Sequence, residues 1–250
     1  QTLQNIDSLL QIASLGNSTK SKVVKSVNFK KIDKNILLGK LDYKKDTNFS
    51  IVNTKYSSKT IYLRNEVLLK FDEMYNAALK QGIKLLVISG TRSFNHQKYI
   101  WDRKWAKNIM KMDSISTIKE ILKYSSMPST SRHHWGTDID LNNLQNSYFE
   151  KGEGKKIFDW LVKNAFKYGF HMTYDNQKES KRTGYKMEKW HWSYMPISEQ
   201  YLLQFNQYIK YEDICYFKGS KFACHEDIDI IKNFVNGINT DFKKTINVTE

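Results

Sequence analysis

Proline and cysteine are almost missing from this chain, with two of each among 250 residues, and glycine is sparse at 11. Collagen-like and Pro/Gly-rich low-complexity classes are thereby excluded. Cys215 and Cys224 form no CxxC pair, so a structural cysteine zinc site is not expected. They read as two free thiols or as one disulfide closing a short loop, the latter suiting an oxidising compartment. Long apolar runs are absent too. The longest is Leu85, Leu86, Val87 and Ile88, far too short to span a membrane. Arginine is scarce: of 40 basic residues only Arg64, Arg92, Arg103, Arg132 and Arg182 carry a guanidinium. A net charge of +14 first suggests nucleic acid or an anionic surface. Base and phosphate reading favours the arginine fork, however. The scattered lysines therefore read as a solvated surface, with an anionic cell wall as the polyanionic alternative and nucleic acid not expected as a partner.

What is present is a globular composition. The chain is 40% hydrophobic and 14% aromatic, enough to bury one full core and to exclude disorder of the whole. Residues 1–55 are polar and predict an N-terminal arm, partly ordered where it docks, with an amphipathic helix over Gln4–Leu15 and a linker over Lys20–Lys34. Residues 56–250 predict a single domain ending in helices. Leu63, Val67, Leu68, Phe71, Met74, Tyr75, Ala78 and Leu79 recur at helical spacing and stop at Gly82. Lys84–Ser89 predicts a short buried strand, followed by a turn at Gly90–Ser93 and a helix from Phe94 to about Met110. Further helices are expected over Ser114–Tyr124, around Ile157–Phe166, over Pro196–Ile209 and over Asp227–Val235. Further strands are expected over Thr137–Leu141, Phe170–Tyr174 and Tyr185–Tyr194. The mixture has no regular βαβ rhythm, so the fold class is α+β.

Three of the six histidines fall in two unusual segments: Ser131-Arg132-His133-His134-Trp135-Gly136-Thr137-Asp138-Ile139-Asp140 and Glu188-Lys189-Trp190-His191-Trp192. A catalytic zinc takes three protein ligands and keeps one place for water. Two imidazoles and one carboxylate leave the centre positive, which acidifies that water and polarises a carbonyl. A further carboxylate off the metal must take the proton. These segments supply such a set, although spacing alone leaves open which adjacent histidine ligates, and whether Asp138 or Asp140 does. Glu188 and His191 stand three apart and would face opposite sides of a regular strand, so joint action requires a turn, bulge or strand end between them. By the same parity Trp190 and Trp192 share a face, walling a cleft or filling the core. Arg92 follows a buried strand and a glycine turn, a place suited to presenting a cation to a carboxylate.

These segments resemble the signature of the M15 zinc peptidases, the D-alanyl-D-alanine carboxypeptidase family that includes VanY-like enzymes. The pattern S-x-H-x-x-G-x-x-x-D is met by Ser131, His133, Gly136 and Asp140, and E-x-W-H by Glu188, Trp190 and His191. The arginine-serine turn before a glutamine is met by Arg92, Ser93 and Gln97. The stretch Ser125-Ser126-Met127-Pro128-Ser129-Thr130 is similar to a subgroup in Bacteroidetes-like bacteria. The likeness runs from about Leu37 to Asn236.

The resemblance implies a Hedgehog/D-Ala-D-Ala peptidase-like fold: a small antiparallel sheet flanked by helices, with zinc in a cleft. By likeness His133, Asp140 and His191 hold Zn2+. Glu188 serves as general base and then as proton donor to the leaving amine. Arg92 stabilises substrate charge, Gln97 and Ser131 help hold the peptide end, and Trp192 is placed as a further substrate contact. His134 is read as a neighbour of the site rather than a ligand. The implied activity is cleavage of a D-amino-acid bond in peptidoglycan stem peptides, foremost as a D,D-carboxypeptidase. An L,D-carboxypeptidase or endopeptidase of the same family is the alternative, and a non-catalytic zinc-containing wall-binding module the further one. The implied location is exported, periplasmic or in the cell envelope. Three positions depart from the family pattern: Asp138 where a small residue is usual, Lys189 where proline is frequent, and Thr91 where an aromatic is common.

Overall fold

The computed structural model describes residues 30–241. The helix expected over Gln4–Leu15 and most of the linker at 20–34 lie outside the described residues. Ile32 onward belongs to one compact unit. Residues 32–55, read from sequence as part of an arm, carry buried anchors in that unit: Leu37, Leu38, Phe49 and Val52. A few well-spaced apolar side chains suffice to dock an otherwise polar segment.

Helix α1 (Lys34–Leu37) starts at Asp33, whose carboxylate accepts from the Asn35 N–H at 2.6 Å. Strands β1 (Phe49–Ile51) and β2 (Tyr62–Arg64) form an antiparallel hairpin not anticipated from the sequence. Three-residue strands are too short to show alternation. Helix α2 (Asn65–Leu79) buries Val67, Phe71, Met74, Tyr75 and Ala78 on one stripe. After β3 (Val87–Ser89), α3 (Phe94–Asn108) is capped by Ser93, whose hydroxyl accepts from the His96 N–H. It buries Gln97, Trp101 and Trp105, one per turn. Helix α4 (Ser114–Ile121) is capped by Asp113. Then follow β4 (Asp138–Leu141), α5 (Gly152–Asn164), β5 (Phe170–Met172), α6 (Gln177–Ser180), β6 (His191–Tyr194) and α7 (Met195–Tyr208). Residues Ile230–Val235 form a single π-helical stretch where a regular helix was expected.

The main sheet has four antiparallel strands in the order β3-β4-β6-β5. Alternation sorts its side chains. Ile139, Leu141, Trp192 and Tyr194 enter one core with α2 and α5. Asp138, Asp140, His191 and Ser193 occupy the other face. A second core, around Trp101, Trp135, Tyr201 and Phe205, joins α1, α3, α4, α7 and the C-terminal segment. The two free cysteines, Cys215 half-buried and Cys224 exposed, are not bridged. No helix among the described residues is long and apolar enough to cross a membrane.

Candidate active site

Strand register brings the first two groups together. Asp140 lies directly opposite His191 across β4–β6, and Ser89 opposite Asp140 across β3–β4. His133 arrives from a single 3-10 turn, Arg132–Trp135, closed by Gly136 at φ +72°. A Cβ on Gly136 would stand 2.4 Å from the Phe49 ring, so both the left-handed backbone and the close packing require glycine there.

Hydrogen bonds fix the ring orientations. His133 Nδ1 lies 2.8 Å from the Gly90 carbonyl and must donate to it, which leaves Nε2 with a lone pair. His191 Nε2 lies 2.8 Å from Asp138 Oδ2 and donates there, which turns Nδ1 inward. His133 Nε2 and His191 Nδ1 stand 3.4 and 3.2 Å from Asp140 Oδ1. Neither His133 Nε2 nor Asp140 Oδ1 has a hydrogen-bond partner, although both are buried. Buried polar atoms left without a partner are costly. All three ligand atoms lie within 4.8 Å of one another, and a divalent cation between them would satisfy each.

The charges tell the same story. Burial disfavours the Asp140 carboxylate, but His133, His191 and Arg92 outweigh it and hold its pKa well below the usual range. Burial also works against protonation of His191, yet Asp138 and Asp140 push it up to about 9, so without a cation Nδ1 holds a proton toward Asp140 that a bound metal would displace. His133 is pushed down, by burial and then by Arg92. The pocket is thus built around positive charge at the point where the three side chains meet.

Asp138 is not a ligand in this geometry. Its Oδ2 accepts from His191 and from Arg132 Nε at 3.0 Å, and its Oδ1 from Thr137 Oγ1 and Ser193 Oγ at 2.7 and 2.8 Å. Every face of the carboxylate is engaged, and its role is to orient the His191 ring. The Asp138 pKa is lowered because Arg132 and His191 outweigh the cost of burial.

Glu188 sits just before β6. The His191 N–H donates to the Glu188 carbonyl at 3.1 Å, forming the turn that the spacing demanded, and β6 consequently starts at His191 rather than at Tyr185. The turn brings Glu188 Oε2 within 3.5 Å of His191 Nδ1. Burial pushes the Glu188 carboxyl up to about 8. Arg92 Nη2 donates to Asp140 Oδ2 at 2.7 Å, Nε to Ser89 Oγ at 3.0 Å and Nη1 to Gln97 Oε1 at 3.2 Å. The site opens into a cavity of about 830 Å³ whose walls include Arg92, Ser131, Tyr174 and Trp190.

Residues 60–197 match the family model described as VanY: D-alanyl-D-alanine carboxypeptidase. The chain belongs to this family. A D-alanyl-D-alanine carboxypeptidase of Enterococcus faecium is 28% identical over 162 residues, covering 64% of this chain and 46% of that protein. YodJ of Bacillus subtilis (strain 168), provisionally named a carboxypeptidase, is 31% identical over 151 residues, covering 58% of this chain and 50% of YodJ. The chain spans about half the length of these curated relatives. Among solved structures, VanYB in complex with D-alanine-D-alanine superposes at a TM-score of 0.51 with 21% identity, covering 72% of this chain and 90% of that one. The LdcB LD-carboxypeptidase superposes at 0.50 with 24% identity, covering 65% and 74%. Both share the fold: a small antiparallel sheet with flanking helices.

Of the residues singled out from the sequence, His133, Asp140, His191, Glu188, Arg92 and Ser131 all line this cavity. Gln97 and Trp192 are not on the cavity wall. Gln97 is fully buried behind Arg92, accepting from its guanidinium and donating to the Ser126 carbonyl at 2.8 Å. Trp192 faces the opposite side of β6 and fills the core, its indole N–H on the Lys189 carbonyl. Trp190, in the turn before β6 and outside strand parity, is the tryptophan that lines the cavity. His134 is buried beside the site and ligates nothing: Nδ1 donates to the Arg92 carbonyl and Nε2 accepts from the Ser129 N–H. Sequence reasoning missed Arg132 as the counter-charge of Asp138, and Lys104 on the α3 face that lines the cavity. Lys104 lies two turns from Gln97, a spacing that flags it once Gln97 is placed near the site.

Proposed function

We propose that this chain is a zinc-dependent D,D-carboxypeptidase that removes the terminal D-alanine from peptidoglycan stem peptides. The observation that carries this is the convergence of three buried ligand atoms, on His133, Asp140 and His191, beside a carboxyl that is not among them. That donor set suits zinc, which when bound supplies Lewis acidity and a water acidified to near-neutral pKa. Glu188 takes the proton of the attacking water and returns it to the leaving amine. Its burial favours the protonated form needed for the second half of that task. Arg92 holds Asp140 through one nitrogen and offers its remaining N–H groups to the carbonyl oxygen as charge develops there. Asp138 keeps the His191 ring turned. Ser131 lines the cavity and would help hold the peptide end. The family and the D-alanyl-D-alanine carboxypeptidase relatives support this substrate class.

Such a substrate lies outside the cytoplasmic membrane of a bacterium, so the proposed place of action is the cell envelope, and the periplasm where there are two membranes. The proposed domain organisation is an N-terminal arm followed by one peptidase unit.

Mass spectrometry of a purified muropeptide pentapeptide, incubated with the protein, tests the reading. Loss of one alanine is expected, blocked by a chelator and restored by zinc. Glu188→Gln is expected to keep its metal and lose at least about 100-fold in turnover. A pentapeptide that survives zinc-loaded protein overturns the D,D reading, and full turnover by Glu188→Gln overturns the role of that residue.

A further inference from the structure

One wall of the cavity is a face of α3, formed by His96, Ile100, Arg103 and Lys104 at helical spacing. The acids on the described lining are Asp140 and Glu188, and both belong to the site already described. The cations outnumber them, but Arg92 is paired with Asp140 and Arg132 with Asp138. Lys59 and Arg103 also line the cavity without a carboxylate partner among the described residues, but both are exposed to solvent; Lys104 is different. Its ammonium donates to the Ser125 hydroxyl, and no carboxylate among the described residues lies within ion-pair distance of it. The side chain is half-buried, and loss of hydration pushes its pKa down, with Glu188 as the acid whose field opposes that fall. A partly desolvated ammonium, held in direction by a neutral hydroxyl and open to a cavity, lacks an anion.

The reaction proposed above delivers one. A carboxypeptidase substrate carries its free carboxylate a single residue beyond the scissile carbonyl, about 3.5 Å of chain. Lys104, Ser125 and Glu188 line the same cavity, so a substrate whose scissile bond lies at Glu188 has its released end within that cavity. We propose that Lys104, oriented by Ser125, reads the free α-carboxylate of the residue that is released. This inference rests on the peptidase reading. It makes Lys104 the residue that favours exopeptidase over endopeptidase action, because a cross-linked or amidated terminus presents no anion to it. Arg92, tied to Asp140, Ser89 and Gln97, is then left for the carbonyl.

The test compares zinc-loaded wild type, Lys104→Met and Lys104→Arg on diacetyl-Lys-D-Ala-D-Ala and on its C-terminal amide. Wild type is expected to prefer the acid by about 10- to 100-fold in kcat/KM, mostly through KM, as for a lost charge-assisted hydrogen bond. Lys104→Met is expected to bring the acid-to-amide ratio close to one, and Lys104→Arg to keep most of it. A ratio that Lys104→Met leaves intact overturns the proposal while the peptidase reading stands. Replacing lysine by diaminopimelate in the peptide separates a side-chain carboxylate from the terminal one. If Lys104→Met abolishes only a preference for the diaminopimelate peptide, the terminal assignment is overturned. Binding of the acid and the amide to Glu188→Gln, with and without Lys104→Met, gives a readout independent of turnover. Equal loss of both ligands there marks a structural role and overturns the proposal. Selective loss of the acid supports it, even if wild type cleaves neither peptide and the peptidase reading falls.

Discussion

His134 shows how strongly a single residue is constrained beside this site. Its Nδ1 lies 2.7 Å from the Arg92 carbonyl and its Nε2 3.1 Å from the Ser129 amide nitrogen. Ser129 itself holds a left-handed backbone at φ +71°. Protonating Nε2 would set an N–H against an N–H in a buried place, and burial accordingly pushes the ring down to about 4. A histidine whose folded pKa lies below its unfolded value stabilises fully above the unfolded value and loses that contribution as pH falls through the window. Stability is therefore expected to drop between about pH 6.5 and pH 4, with about 2 kcal/mol gone from this ring by pH 5. An NMR titration of the His134 ring in chelator-treated protein, alongside urea unfolding at each pH, checks this. A ring that titrates near its ordinary value removes the effect. At this scale the segments were legible but not the choice within them: spacing left His133 or His134 and Asp138 or Asp140 open, and the fold brings His133, Asp140, His191 and Glu188, the set implied by the resemblance, together. The placement of Gln97 and Trp192 was not legible, because a motif names a residue without giving its direction. Helix geometry turns Gln97 inward behind Arg92, and strand parity turns Trp192 into the core.

Element pairing gives Asp138 its place in the fold. On β4 it shares a face with Asp140, as parity required, and it meets both His191 and Ser193 on β6. The carboxylate thus cross-links two strands and sets one ring, while Arg132 supplies the balancing charge from the 3-10 turn. Removing one partner would leave a lone buried charge and cost stability regardless of metal. The informative variant is the double substitution Arg132→Met/Asp138→Ala, which removes the pair together. It is expected to fold and to bind zinc about 10- to 100-fold more weakly, read by competition with a chelating dye. Unaltered affinity would show that β4 and β6 hold His191 without this pair. Long periodic elements were readable from sequence, α2 and α3 above all. The β1–β2 hairpin and the coil at Tyr185–Glu188 were not. In the hairpin, three residues per strand carry too little pattern. In the coil, Tyr185 is buried by contacts with Tyr174 and Phe234 rather than by a sheet.

Among the described residues one apolar core packs on one face of the main sheet, and the site lies on the opposite face, buried beneath the 3-10 turn and Tyr174. Its three ligand atoms come from a 3-10 turn and two strands, so a cation there ties together segments far apart in sequence. In the metal-free protein His133 Nε2 and Asp140 Oδ1 are buried at that junction without a hydrogen-bond partner, a local cost to folding. Binding to the native state alone adds stability as RT ln(1 + [L]/Kd), about 4 kcal/mol when free zinc exceeds Kd by 1,000-fold. For a domain of this size that raises Tm by about 10 °C. Differential scanning fluorimetry of chelated and zinc-loaded protein reads the shift directly. Asp140→Ala is expected to abolish it, because the remaining imidazoles lose the carboxylate they share. Glu188→Gln is expected to keep it, because that carboxyl stands beside the junction and takes no part in holding it. A shift retained by Asp140→Ala would place the metal elsewhere in the chain, and a shift lost by Glu188→Gln would make Glu188 a ligand instead of a base.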